Sequence, residues 1–99
     1  MLVYHVVLPE YWIEMDTERD YVAASLAVEG FIHCSYSGQL DDVLKRYYSN
    51  ADEVLILTID TDKLSSRLVE EPSTNNEIYP HIYGPVNREA IVEVEPRKL

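Results

Sequence analysis

The sequence predicts a mixed α/β domain of the α+β kind, and three observations carry that expectation. One segment has apolar residues at helical spacing, several others are short runs rich in β-branched and aromatic residues, and 99 residues suffice for one core. A single domain over residues 1–99 is therefore expected. With 46% hydrophobic and 26% charged residues, the composition is that of a chain able to bury a core, and no stretch is biased toward disorder.

Leu2 to Leu8 is the first predicted strand, with Val3, His5 and Val7 on one face and Leu2, Tyr4, Val6 and Leu8 on the other. Pro9 suits the first position of a short helix on which Tyr11, Trp12 and Met15 share a side. The polar run Asp16 to Asp20 ends it. Tyr21 to Val28 fits helix or loop equally. A second short strand is expected over residues 30–34. The best helix lies near 37–49, where Leu40, Val43, Leu44 and Tyr47 fall at i, i+3, i+4 and i+7, with Ser35 or Ser37 as candidate caps. Residues 54–60 are nearly all apolar and predict a central strand covered on both faces. A helical turn follows at 61–65, an edge strand at Arg67 to Glu71, a loop from Pro72 to Asn76, an extended segment over Ile78 to Gly84, and a last strand near 91–95.

Eighteen acidic residues against eight Lys and Arg give a formal charge of −10, and the bases are scattered along the chain. Binding to phosphate backbones or to acidic membrane surfaces needs clustered cations, so nucleic-acid and membrane partners are not expected. The longest apolar run is far shorter than the ~20 residues that span a bilayer. The apolar N-terminus reads as a strand rather than a leader, and with Cys34 as the lone cysteine no intramolecular disulfide can form. A cytoplasmic location is expected.

Three histidines, His5, His33 and His81, sit inside apolar extended segments. A buried imidazole must find hydrogen-bonding partners, so each is either a satisfied core residue or part of a polar pocket. Strand alternation places His33 with Ser35 on one face and His81 with Tyr83 on another, whereas Cys34 turns toward the core and should be inert. These pairs predict a shared pocket lined by His33, Ser35, His81 and Tyr83 and bordered by His5. No Cys or His pair has metal-ligand spacing, so no metal site is expected. Glu29 and Glu77 are acids at strand edges, either solvated loop carboxylates or acceptors for a sugar hydroxyl at a pocket mouth. The three glycines form no phosphate-cradling loop.

The order of these segments is recognisable. The Tyr4-His5 strand, Trp12, Tyr21 with Ala24-Ser25-Leu26, the block Glu29-Gly30-Phe31-Ile32-His33-Cys34-Ser35, the Leu55 to Asp60 strand with Leu64, and Tyr79-Pro80-His81-Ile82-Tyr83-Gly84-Pro85 together resemble a small bacterial family, domain of unknown function 952. The resemblance covers essentially the whole chain. It implies a compact version of the ADP-ribosyltransferase fold, a split and mostly antiparallel β-sheet with two to three short helices around a nicotinamide-nucleotide cleft. Carried onto this sequence, it implies that His5 holds a nicotinamide-side ribose, that the Gly30 to Ser35 strand supplies a second stacking or hydroxyl residue, and that Glu77 is the acid that steadies the ribose or a developing oxocarbenium charge. His5, His33 and Glu77 are then the candidate catalytic residues, with Ser35, His81 and Tyr83 as ligand-binding residues. RNA 2′-phosphotransferases of the same fold are similar only in outline, because the arginines here are not grouped.

The expected activity is binding of NAD or an ADP-ribose-like nucleotide, with transfer or hydrolysis of ADP-ribose and NAD as substrate rather than bound cofactor. Two alternatives stand beside it: a noncatalytic module for a small ligand or peptide on the same fold, and a metal-dependent hydrolase using the histidines. The expected partner is a small-molecule nucleotide, and the expected state a monomer or weak homodimer.

Overall fold

The computed structural model describes all 99 residues. Six strands and three helices alternate along it: β1 (Leu2–Val7), α1 (Pro9–Ile13), α2 (Ala24–Glu29), β2 (Ile32–His33), α3 (Leu40–Tyr47), β3 (Glu53–Asp60), β4 (Arg67–Pro72), β5 (Ile78–Tyr83) and β6 (Ile91–Lys98). The strands form two three-stranded sheets in the orders β1-β3-β6 and β2-β5-β4, and every pairing is antiparallel. The mixed α/β class with a split antiparallel sheet is as the sequence predicts.

The two-residue period of β1 and β3 builds two cores. Val3 and Val7 of β1 with Leu57 and Ile59 of β3 face Ile32, Cys34, Ile82 and Val86, which come from the second sheet and its flanking chain. Val6, Val54 and Ile56 face the other way, onto Leu40 and Leu44 of α3. Each such fully buried aliphatic side chain stabilises the fold by about 1.5–3 kcal/mol. The central strand β3 is thus covered on both faces, because α3 presents its apolar stripe to one side and the second sheet closes the other.

Boundaries differ from the sequence expectation in three places. The second strand is confined to Ile32–His33, since Gly30 adopts the left-handed conformation (φ 88°) and its N–H bonds to the Leu26 carbonyl, closing α2. The helix expected over 37–49 opens as a 3-10 turn over Ser37–Gln39 and becomes α-helical only at Leu40. Neither Ser35 nor Ser37 caps it: Gln39 stands at the N-cap of the α-helix without a side-chain bond into it, and its Oε1 instead accepts from the Tyr36 N–H at 3.0 Å, at the start of the 3-10 turn. Finally, β6 continues through Pro96 to Lys98, which an edge strand tolerates because one side of it needs no ladder donor.

The two sheets are joined where the chain leaves β2. Cys34 still donates to the Pro80 carbonyl of β5, while Ser35 has crossed to the other sheet, exchanging backbone hydrogen bonds of 2.9 and 2.7 Å with Tyr4 of β1. Outside the sheets, Tyr21 and Val86 form an isolated antiparallel bridge through two bonds of 2.8 Å.

Candidate functional site

A cleft of about 750 Å³ opens along the seam between the sheets. Its walls come from β1, the 33–35 crossing, the start of α2, the end of α3 and the turn after β4, and His5, Tyr21, Glu29, His33, Ser35 and Tyr79 are among its lining residues. Its volume lies in the range that holds a nucleoside-sized ligand, and no lysine or arginine is among the lining side chains.

His5 lies at the base of this site, 7% exposed, with both ring nitrogens engaged. Nδ1 is 2.6 Å from the His33 carbonyl oxygen, and because a carbonyl only accepts, Nδ1 carries the proton. In the neutral ring Nε2 is then a bare acceptor, and it receives the Tyr21 hydroxyl at 2.7 Å. Burial pushes the imidazole down from 6.5 to about 4, with the His33 carbonyl bond opposing the shift, so the ring stays neutral at physiological pH. Burial also raises Tyr21, which keeps its proton. Tyr21 is further held by the Trp12 ring, 5.5 Å away, and Arg88 lies 5.0 Å from the centroid of that indole while donating to the Asp16 and Arg19 carbonyls.

At the cleft mouth, His33 Nε2 and Glu29 Oε2 are 2.8 Å apart and both side chains are about half exposed. Glu29 is the last residue of α2 and His33 the last of β2, so the tight turn at Gly30 is what brings the acid to the imidazole. Ser25 Oγ secures that turn by donating to the Phe31 carbonyl. The outcome is an accessible carboxylate–imidazole pair beside a buried imidazole–phenol pair, linked through one peptide carbonyl.

Of the residues singled out from the sequence, His5, His33 and Ser35 line the cleft; His81, Tyr83 and Glu77 do not. His81 pairs with His33 across β2 and β5 and is buried, with the Phe31 ring stacked on it at 4.1 Å between centroids. Its Nδ1 bonds to Glu71 Oε2 at 2.6 Å, Tyr83 donates to the same carboxylate, and Nε2 is buried without a partner. Those two hydrogen bonds hold Glu71 below the usual carboxylate range. Glu77 instead accepts from Gln39 Nε2 at 2.9 Å, bracing the start of α3. Cys34 is buried in the core and its thiol is pushed upward by burial, in keeping with an inert residue. No group of three or more His, Cys, Asp or Glu side chains is disposed to hold a metal ion.

Sequence reasoning did not place Tyr21 or the aromatic far end of the cleft, where Tyr47, Tyr48 and Tyr79 gather and Tyr47 bonds to Thr74 at 2.7 Å. The signal was the count of eight tyrosines in 99 residues.

Fold and cleft together define a small α/β domain with a cleft along the seam of its two sheets. The chain belongs to the family described as protein of unknown function DUF952, which it matches over residues 6–94. Two crystal structures of protein CC0527 from Caulobacter crescentus share the fold: one, of the protein itself, at TM-score 0.84 and 22% identity, the other, of a double mutant, at TM-score 0.86 and 19% identity. Each comparison covers 100% of this chain and 88% of the other. No curated protein matches the sequence. No helix is long and apolar enough to cross a membrane.

Proposed function

We propose that the cleft binds the nicotinamide–ribose end of NAD, or the ribose of an ADP-ribose-like nucleotide, and that Glu29 and His33 act on that sugar. The observation that carries this reading is the Glu29–His33 pair at the mouth of a nucleoside-sized cleft. A carboxylate at that position accepts from a ribose hydroxyl and stabilises positive charge on the sugar as the nicotinamide bond breaks, while His33 positions it. Glu29 thereby takes the role that the family resemblance suggested for Glu77. With no cation in the lining, the diphosphate of a dinucleotide projects out of the cleft, and the pyridinium and ribose enter. The resemblance to the ADP-ribosyltransferase fold supports the same assignment.

The test is a titration of NAD and ADP-ribose followed by the histidine resonances, with nicotinamide release measured in parallel. His5 and His33 signals should move together in wild type, and Glu29→Gln should abolish release while leaving binding within about tenfold. Failure of either ligand to move any histidine at millimolar concentration overturns the reading.

One observation favours a second reading, a noncatalytic binding module. Both nitrogens of His5 are spent inside the protein, so the buried imidazole organises the cleft rather than acting on a ligand directly. Binding without nicotinamide release selects this reading.

A further inference from the structure

Phe31, the only phenylalanine of the chain, packs with neither core. Ile32 of β2 and Ile82 of β5 turn inward, so strand alternation sets His33, His81 and Tyr83 on the outer face of the second sheet, where Phe31 packs against all three. Its ring is stacked on His81, edge-on to His33, and tilted by 45° to Tyr83 at 5.4 Å between centroids. Phe31 is partly exposed and Tyr83 is 39% exposed, so solvent reaches both members of that tilted pair. Two carboxylates border the group: Glu29, bonded to His33, and Glu71, which His81 and Tyr83 both bond and thereby hold in its charged form. The chain supplies no cation to these rings. Its arginines that lie over aromatic rings are Arg46 at Tyr47 and Arg88 at Trp12. Arg67, the register partner of Tyr83, is the cation whose charge reaches Glu71 and Tyr83, and the two carboxylates outnumber it.

We propose that Phe31 and Tyr83, bordered by Glu29 and Glu71, form a binding site for an alkylammonium ion on the outer face of the second sheet. The face of an aromatic ring carries negative charge density, and carboxylates beside it deepen that potential, so a tilted pair of accessible rings attracts a cation. The chemistry selects which cation. Ring faces cannot replace the water around a small inorganic ion, whereas an alkylated ammonium holds its water weakly and buries its methyl groups against the rings while its charge meets the carboxylates. The formal charge of −10 draws cations toward the surface from a distance. The site lies beyond the cleft and does not depend on what the cleft binds, since neither Phe31 nor Tyr83 is among the cleft's lining residues.

The experiment titrates choline and 3,3-dimethylbutanol into the whole chain and follows the aromatic proton resonances. The two probes share shape and differ in a quaternary nitrogen against a quaternary carbon, so their difference reads the charge alone. Wild type should bind choline in the millimolar range and about tenfold more tightly than the alcohol, with the Phe31 and Tyr83 signals moving and those of His5 at rest. Tyr83→Leu, at an exposed position outside both cores, should keep the amide spectrum of the fold and lose the preference for choline. Equal affinity for the two probes overturns the proposal, as does a preference that survives in Tyr83→Leu. So does choline binding that moves His5 in place of Phe31, which would put the cation in the cleft, and so does the absence of any shift at tens of millimolar. None of these outcomes bears on nicotinamide release, so the proposed function stands or falls separately.

Discussion

His33 and His81 are directly paired across β2 and β5 with ring centroids 5.5 Å apart, yet only His33 reaches the cleft. Phe31 packs against both. Its ring lies nearly parallel to His81 at 4.1 Å and edge-on to His33 at 4.9 Å. Two histidines paired at one register position have unlike surroundings: His81 is bonded to Glu71 and buried, and His33 is bonded to Glu29 and half exposed.

His81→Phe should be nearly neutral for stability. The substitution removes a buried nitrogen that has no partner, at the cost of one hydrogen bond to Glu71, whose carboxylate is 28% exposed and can return to water. The Glu71 left behind keeps the Tyr83 hydroxyl and reaches solvent, so no buried partner is orphaned and the change expected in urea unfolding is within about 1 kcal/mol. A loss well above that would show that Nε2 has a partner in solution.

Lowering the pH should destabilise the protein through His5. The folded-state value is about 4 against 6.5 for an ordinary imidazole, so between those pH values the unfolded chain binds the proton that the folded one excludes. Stability consequently falls as pH drops from about 6.5 to 4, by up to roughly 3 kcal/mol, and below that window His5 contributes no further slope. In His5→Gln this part of the pH dependence should vanish from denaturation curves recorded across the window.

Leu44→Asp should unfold the domain. Leu44 is 7% exposed and packs with Leu40, Val6, Val54 and Ile56, so the substitution both empties a core position and buries a charge. The expected cost exceeds about 4 kcal/mol, a large part of the stability of a chain this short. Lys45→Asp, on the exposed side of the same helix, serves as the control and should cost about 1 kcal/mol or less, through the loss of a positive charge near the helix C-terminus. A cooperative melt at the wild-type temperature in Leu44→Asp would show that this face of α3 is not part of the core.

Gly84→Ala should destabilise for want of space. A Cβ at this position would meet Ser66, with the serine Cβ only 2.9 Å away, and Ser66 is fixed there by donating to the Pro85 carbonyl at 2.6 Å. Neither side can yield without breaking that bond or shifting the β4–β5 ends, at an expected cost of about 1–3 kcal/mol read from thermal denaturation. Gly38→Ala, where nothing lies within 4 Å, is the matched comparison and should leave the melting temperature almost unchanged.

Local pattern alone determined the long strands and the longest helix of this protein and most of their inward faces, though Tyr47 at the end of the helical stripe is exposed and pattern does not separate the helix over Ala24–Glu29 from a loop. The stripe from Leu40 to Tyr47, the alternation in Leu2 to Leu8 and the nearly unbroken apolar run after Val54 each specify periodicity, and periodicity follows from backbone geometry that any residue in the run obeys. The same logic placed Cys34 inside and identified His5, His33 and Ser35 as polar positions in apolar strands. What the tertiary structure decided was which of those positions meet. Glu29 reaches His33 only because Gly30 turns left-handed between them, and Glu77, an equally plausible acid in the sequence, is drawn instead to Gln39. Tyr21, bridged to Val86, joins His5 across 16 positions, and Phe31 stacks on His81 from a position that alternation alone does not resolve. Such contacts depend on where distant elements dock and on which rotamer a large ring can take in the space left, and those are set by packing among residues far apart in the chain.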